Sequence, residues 1–401
     1  MPASRRMAQV SDALQAFRAE TVRGAPGFFR VGQTRGGRWW LIDPRDRPFF
    51  ACAVNGVEAG EAEGADPVDR ARGWGFNTLG VGGGAEAWDG PVARIGVVNF
   101  CAAGGAIRAG GARLPDVFDP AWPARAAERA AAVCGGSEPR RELLGWLADD
   151  ALGWARPMAD GRPSLLQICL SLEPGFAAYH AAWEFVLAAH GGRIADLARA
   201  WSHPIANKEV VREMTRTDQG LMTRGYGRDN ARWTREFAQR YFATTSAAIR
   251  ANDPHHLVLG ARELRESGAV ASEGEATATL AGSYPAVDLP WVHWSELATA
   301  PIGPVLAGDF TWVTAEAIAV ERRGRGGLTT VERMLRRGRA ALRRIVAHPA
   351  VVGYAWRQWR DRDGEQPPFA GGLVHVNGAE AREHTELVAD IHRRVGTLRA
   401  F

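Results

Sequence analysis

The sequence predicts an α/β fold: a (β/α)8 barrel with a short N-terminal β-hairpin and a helical insertion between its fourth and fifth strands. Three observations carry this expectation. Short apolar runs of strand length alternate with segments of 3.6-residue periodicity, the pattern of a parallel sheet covered by helices. After the opening hairpin the runs number some eight, as a closed barrel requires. One of them, Leu143 to Ala148, stops at two adjacent carboxylates, Asp149 and Asp150, in the position where α/β folds keep their chemistry. On pattern alone, an open doubly wound sheet is the alternative.

In chain order, residues 1–25 read as a polar, partly helical lead-in. Two short strands follow, FFRV from Phe28 and RWWLI from Arg38, joined by the Gly36-Gly37 turn signal and followed by a loop from Asp43 to Arg47. The first two barrel strands are expected at Phe49 to Val57 and Gly75 to Val81, the second ending in a glycine-rich turn, Gly82 to Gly84. That turn lacks the lysine and the spacing of a phosphate-binding loop or a dinucleotide fingerprint. Further strands are expected at Ile95 to Phe100, Leu143 to Ala148, His256 to Gly260, Ala278 to Ser283, Val305 to Gly308 and Val351 to Trp356. Helical periodicity marks Ala124 to Val133, Tyr179 to Ala189, Ile194 to Trp201, Trp233 to Ala251, Val331 to Val346 and Glu383 to Leu398. No repeat and no Pro/Ser-rich linker divides the chain, so 1–401 reads as one barrel domain with residues 155–230 inserted as a helical roof.

Composition narrows the function classes. With 46% hydrophobic and 23% charged residues the chain has the balance of a soluble globular protein. Its +4 formal charge comes from arginine, since Lys208 is the sole lysine, and these arginines are interleaved with acids instead of forming a basic stripe with stacking aromatics. Nucleic-acid binding is therefore not expected. Cys52, Cys101, Cys134 and Cys169 are far apart and form no CxxC pair, which reads as buried free thiols in a reducing compartment and not as a zinc site. No His, Asp and Glu cluster has metal-ligand spacing, so neither a metal nor a cofactor is expected. The amino terminus has no apolar core of a secretory signal, and no run of about 18 apolar residues suggests a membrane span. These point to a cytoplasmic protein.

Several segments then become recognisable together. The stretch GGRWWLIDPRDRPFFACAVNGV (Gly36 to Val57), WGFNTLG (Trp74 to Gly80), LPDVFDP (Leu114 to Pro120), YFATTSAAIRANDPHHLVLGAR (Tyr241 to Arg262) and HPAVVGYAWRQWRDRDGE followed by GGLVHVNG (His348 to Gly378) fall in one order across nearly the whole chain. In that order the chain resembles glycoside hydrolases of the clan A barrel superfamily, and among them the agarase-like branch.

The resemblance implies where catalytic groups belong, and two of those positions depart from it. The family's general acid/base is the glutamate of an Asp-Asn-Glu ending the fourth strand; here the three residues are Asp149, Asp150 and Ala151. The family's nucleophile is the glutamate of a Gly-Glu-Phe ending the seventh strand; here it is Asp309, one methylene shorter. A retaining glycosidase needs two carboxyl groups about 5 to 5.5 Å apart. Ala151 removes one and Asp309 draws back the other, so unchanged family retention is not expected. Asp150 stands where the family has an asparagine bonding the sugar 2-hydroxyl, and with Asp309 it would make a non-standard acid and base pair. The bland reading of Asp149 and Asp150 is that they cap the following segment or bind arginines.

The resemblance further implies that Tyr284 bonds the nucleophile, that Trp356 is an aromatic platform under the sugar, and that Arg262 binds Asp309 or a substrate anion. A core tyrosine and a buried barrel tryptophan are the alternatives. Glu263 is a substitute acid only if it, and not Arg262, points inward, because neighbours on a strand face opposite ways. Asn55 and Asn77, ending the first two strands, are sugar-hydroxyl donors or simple turn formers. His293, placed in a loop after the sixth strand, has an imidazole suited to acid/base work or is incidental. Glu173 and Glu184 of the insertion are remoter acids. Three functions follow: a carbohydrate-active enzyme on an oligosaccharide or small glycoside, a repurposed enzyme tailoring a glycosylated or polyhydroxylated small molecule, or a carbohydrate-binding protein without catalysis.

Overall fold

A computed structural model of the chain describes residues 14–58, 66–82, 92–109, 112–136, 140–150, 152, 163–216, 223–262, 287–299, 303–312, 331–361 and 371–400. Ala151, Glu263, Tyr284, the expected strand Ala278 to Ser283 and two glycines of the expected turn, Gly83 and Gly84, lie outside the described residues.

The opening hairpin is a three-stranded antiparallel sheet, β1 (Arg30–Gln33), β2 (Trp39–Ile42) and β3 (Pro48–Phe49). The single strand expected from Phe49 to Val57 is therefore two. Phe49 still pairs with Leu41 of the small sheet, whereas β4 (Ala51–Val54) pairs with the last strand of the large one, so the chain changes sheets at Phe50. Pro48, which cannot donate to a ladder, sits on the edge of the small sheet.

The large sheet continues with β5 (Thr78–Leu79) and β6 (Ala93–Val97). A separate hairpin, β7 (Ala106–Ala109) with β8 (Ala112–Pro115), follows, and then β9 (Leu143–Leu147), β10 (Leu257–Val258), β11 (Trp291–His293), β12 (Val305–Phe310) and β13 (Val351–Trp356). The eight large-sheet strands run in the order β10-β9-β6-β5-β4-β13-β12-β11, and every neighbouring pair is parallel. This is a curled, barrel-like sheet whose ladder does not close between β10 and β11 among the described residues. Across that seam the amides of Asp288 and Leu289 donate to the Val258 carbonyl at 2.9 and 3.2 Å, and that of Trp291 to the Leu259 carbonyl at 3.1 Å. The sixth position is filled by β11, so His293 is the last residue of a strand and not part of a loop after one.

Alternation along the strands divides the core. Ala51 and Ala53 of β4 face inward with Leu257, Leu259, Leu289, Leu306 and Val352, and Val31 and Leu41 of the small sheet plug the same interior. Cys52 and Val54 face outward, into a layer with Phe310, Tyr354, Trp356 and the helices Val331–Ala347 and Arg382–Arg393. Burial alone is worth about 1.5 to 3 kcal/mol for each large apolar side chain in these layers. All four cysteines are free and buried, and burial pushes the thiols of Cys134 and Cys169 up to about 12, which keeps them protonated.

Between β9 and β10 lie the helices Leu165–Ser171, Ala177–Ala189, Ile194–Trp201, Lys208–Arg216 and Arg224–Asn252. The first and fourth carry no expectation from periodicity, and the last runs unbroken through residue 230, where the insertion was expected to end. Ser164 and Thr223 cap two of them by accepting from the Gln167 and Tyr226 amides. With Trp122, Trp201, Trp233 and Tyr241 they build one apolar cluster on the outer flank of the sheet, around Leu143 and Trp146. Among the described residues, no helix is long and apolar enough to cross a membrane.

Candidate active site

At the carboxyl ends of the strands, three charged side chains meet. Asp150 follows β9, Arg262 follows β10, and Asp309 is near the end of β12. Arg262 donates from Nη1 to Asp150 Oδ1 at 2.6 Å, from Nη2 to Asp309 Oδ1 at 2.6 Å, and from Nε to both Asp309 oxygens at 3.0 and 3.1 Å. Asp309 and Arg262 are 6% and 7% exposed, so this is a buried ion pair, whereas the Asp150 side chain keeps a third of its surface. Burial works to lower the Arg262 pKa, but the two carboxylates outweigh it and raise the value above the ordinary one. The proton stays on the guanidinium.

The orientation of Asp309 depends on one irregularity. Ala307 pairs with Tyr354 and Phe310 with Trp356, so three steps on β12 match two on β13: a β-bulge at Gly308 and Asp309. Strict alternation from the inward Leu306 would turn Asp309 outward and Phe310 inward. Instead Phe310 lies in the outer layer and Asp309 reaches Arg262. Asp309 adopts a left-handed φ of 56°, uncommon for a residue with a Cβ. Asn55, just past β4, donates from Nδ2 to Asp309 Oδ1 at 3.4 Å while its Oδ1 accepts from the Val81 amide at 3.1 Å. Asp309 Oδ1 is thereby met by three donor groups.

Trp291 of β11 lies beneath the guanidinium, with Arg262 Cζ 5.9 Å from its ring centroid. It packs against Gly308, where a Cβ would stand 1.8 Å from its Nε1. His293, at the mouth end of the same strand, pairs in register with Gly308 and bonds Ser295 Oγ through Nδ1 at 2.7 Å. The structure thus gathers Asn55, Asp150, Arg262 and Asp309, with His293 on the adjoining strand end.

Three expected site residues are elsewhere. Asp149 is fully buried and turned toward the helical flank, accepting from Tyr241 Oη at 2.6 Å and the Cys101 amide at 2.9 Å, so it offers nothing to a substrate. Burial pushes its carboxyl up to about 6 against those two hydrogen bonds. Asn77 precedes β5 instead of ending it, which puts it at the opposite end of the large sheet; its amide binds the Phe50 carbonyl and the Cys52 amide. Trp356 has no exposed surface and faces the outer layer, where it packs edge-on to Trp312 at 4.6 Å and donates to the Gly371 carbonyl. A ring sealed in that layer is no sugar platform.

Sequence reasoning missed Trp291 and Tyr241. Trp291 is one of two tryptophans in the segment PWVHWSEL, and only its pairing with β12 tells it from Trp294. Tyr241 opens the segment matched to the family, yet nothing in sequence joins it to Asp149.

No protein-family model and no curated protein sequence matches this chain. Solved structures do. An exo-beta-agarase superposes with a TM-score of 0.67 at 16% identity, over 95% of this chain and 67% of that one. The agarase AgWH50C gives 0.65 at 17%, over 98% and 70%. BpGH50 gives 0.61 at 17%, over 97% and 88%. At such identities the likeness is one of fold: this chain has the fold of the agarase structures it resembles.

Proposed function

We propose that this chain is a carbohydrate-active protein on a glycosidase barrel. Its cleft recognises a sugar or a polyhydroxylated small molecule, and the retaining reaction with two carboxylates does not operate there. The observation that carries this reading is the Arg262 guanidinium between Asp150 and Asp309. A nucleophile needs a free oxygen facing the anomeric carbon, and both oxygens of Asp309 accept from Arg262, Oδ1 from Asn55 as well. The residue at the family's acid/base position, Ala151, has no proton to give. Of the gathered groups Asp150 and His293 keep accessible surface, and both suit hydrogen bonds to hydroxyls. The same reading takes 1–401 as one barrel domain with its helical insertion at 155–230.

A second reading keeps catalysis, as a glycoside hydrolase with Asp309 and Asp150 as a non-standard pair, or as an enzyme tailoring a glycosylated small molecule. The left-handed backbone of Asp309 favours it, because strained side-chain-bearing residues cluster at working sites. Since the structural neighbours include agarases, agaro-oligosaccharides and aryl β-galactosides are the probes to begin with. Saturation-transfer NMR measures binding, and chromatography of the same mixtures measures release. Binding without release is expected. Release that disappears in Asp309→Asn would establish the second reading, and absence of both binding and release would remove sugars from the function.

A further inference from the structure

At the other end of the large sheet, beneath the amino-terminal ends of β4, β5, β6 and β9, lies a cavity of about 510 Å³. It belongs to neither reading of the sugar cleft. Phe29, Phe49 and Phe76 form its apolar floor, and Arg45, Arg47, Arg72 and Arg141 stand around it, all four exposed. Its two acids are spent inside the protein. Asp43 accepts from the Arg45 and Arg47 amides at 2.9 Å and from Arg47 Nε at 2.8 Å, which rigidifies the turn carrying both arginines. Glu142 pairs with Arg94 at 2.7 Å, a residue outside the cavity wall. Arg72 pairs with Asp69 at the surface. Among the described residues, Arg45 and Arg141 have no acidic partner.

From this geometry we infer a second binding site, for a small aromatic carboxylate. A guanidinium fork matches a planar carboxylate bidentately. Phe29 and Phe76 are buried beneath it, but half-buried Phe49, Pro44 and Val92 leave apolar surface in the wall for a ligand body to cover, which inorganic phosphate lacks. The volume lies within the range of about 300 to 1,000 Å³ usual for small-molecule pockets.

The test compares 2-naphthoate with its neutral isostere 2-naphthamide by calorimetric titration of the full chain, in the wild type and in Arg45→Gln/Arg141→Gln. Both replaced side chains are exposed, and an unchanged Tm checks that the fold is retained. Expected are saturable naphthoate binding about tenfold tighter than naphthamide, loss of that preference in the double variant, and an unchanged preference in Asp150→Asn at the opposite mouth. Equal binding of acid and amide, a preference surviving in the double variant, or no saturable naphthoate binding would each overturn the inference. A preference strengthened or otherwise altered by Asp150→Asn, which frees Arg262 of one carboxylate, would assign the ligand to the sugar cleft and overturn it equally.

Discussion

Arg262 grips Asp309 through two nitrogens, Nη2 at 2.6 Å and Nε at 3.0 Å, while its third nitrogen holds Asp150. Two carboxylates and one guanidinium leave one net negative charge in a largely buried site. Truncating one partner of a buried pair costs about 3 to 5 kcal/mol, because the remaining charge stays behind. Arg262→Met should therefore lower unfolding stability by about that amount in urea titrations at neutral pH. Arg262→Lys should recover little of it, since a point charge cannot span both acids. A loss below about 1 kcal/mol would mean that water already solvates these carboxylates.

The backbone at Asp309 gives a test that reverses sign. Asp309→Gly and Asp309→Ala both delete the carboxylate, but glycine accepts a φ of 56° freely whereas alanine is strained there by about 1 to 2 kcal/mol. The glycine variant should be the more stable of the two. In an ordinary strand the order is the opposite, by about 0.5 to 1 kcal/mol, so a more stable alanine variant would remove the left-handed bulge.

Gly308 leaves room for Trp291. Gly308→Ala places a Cβ where the indole nitrogen now lies, and either the ring or the strand must move. Overpacking of this kind costs about 1 to 3 kcal/mol. A lower Tm with altered tryptophan emission is expected. An unchanged Tm would show that Trp291 does not rest on the strand.

The ring of His392 has both nitrogens engaged: Nδ1 lies 2.8 Å from the Trp74 carbonyl and must donate to it, so Nε2 accepts from Tyr354 Oη at 2.7 Å. Burial pushes its pKa down to about 4, against the weaker opposing effect of the Trp74 bond. An unfolded histidine titrates near 6.5, so on acidification the unfolded state takes up this proton first. The stability tied to the neutral ring is intact above about pH 6.5 and is lost as pH falls through about 4, in all about 3 kcal/mol. Asp149, raised to about 6, has the opposite sign: its folded form takes up a proton before the unfolded one, which relieves its burial on acidification. The two slopes oppose each other, so the readout has to be site-resolved. In NMR titration the His392 imidazole should stay neutral until its midpoint near pH 4. A midpoint near 6.5 would show a solvated ring.

Much of the fold was legible because strand and helix periods are local properties. Seven of the eight expected barrel strands overlap described ones, and the helices at Ile194–Trp201 and Ala177–Ala189 fall at or within two residues of their expected bounds. The exception is the sixth strand, where the described sheet position is taken by Trp291–His293, a run whose aromatics and histidine read as loop. The helices Leu165–Ser171 and Lys208–Arg216 escaped for related reasons. The first is buried on every side but for Ser171, so it shows no polar face, and the second is short and mostly charged.

By itself, then, the sequence determined the alternating pattern, the acids beyond the fourth strand and the aspartate at the end of the seventh, since residue type and spacing are written in it. Only the tertiary structure decided which way these groups point. One extra residue in β12 turns Asp309 inward and Phe310 outward, and strand ends set Asn55 at one mouth and Asn77 at the other. A side chain's face follows from register, and register is fixed by partners far away in the chain. For the same reason Asp149 and Asp150, adjacent in sequence, have separate fates: one is sealed against Tyr241, the other is held at the mouth by Arg262.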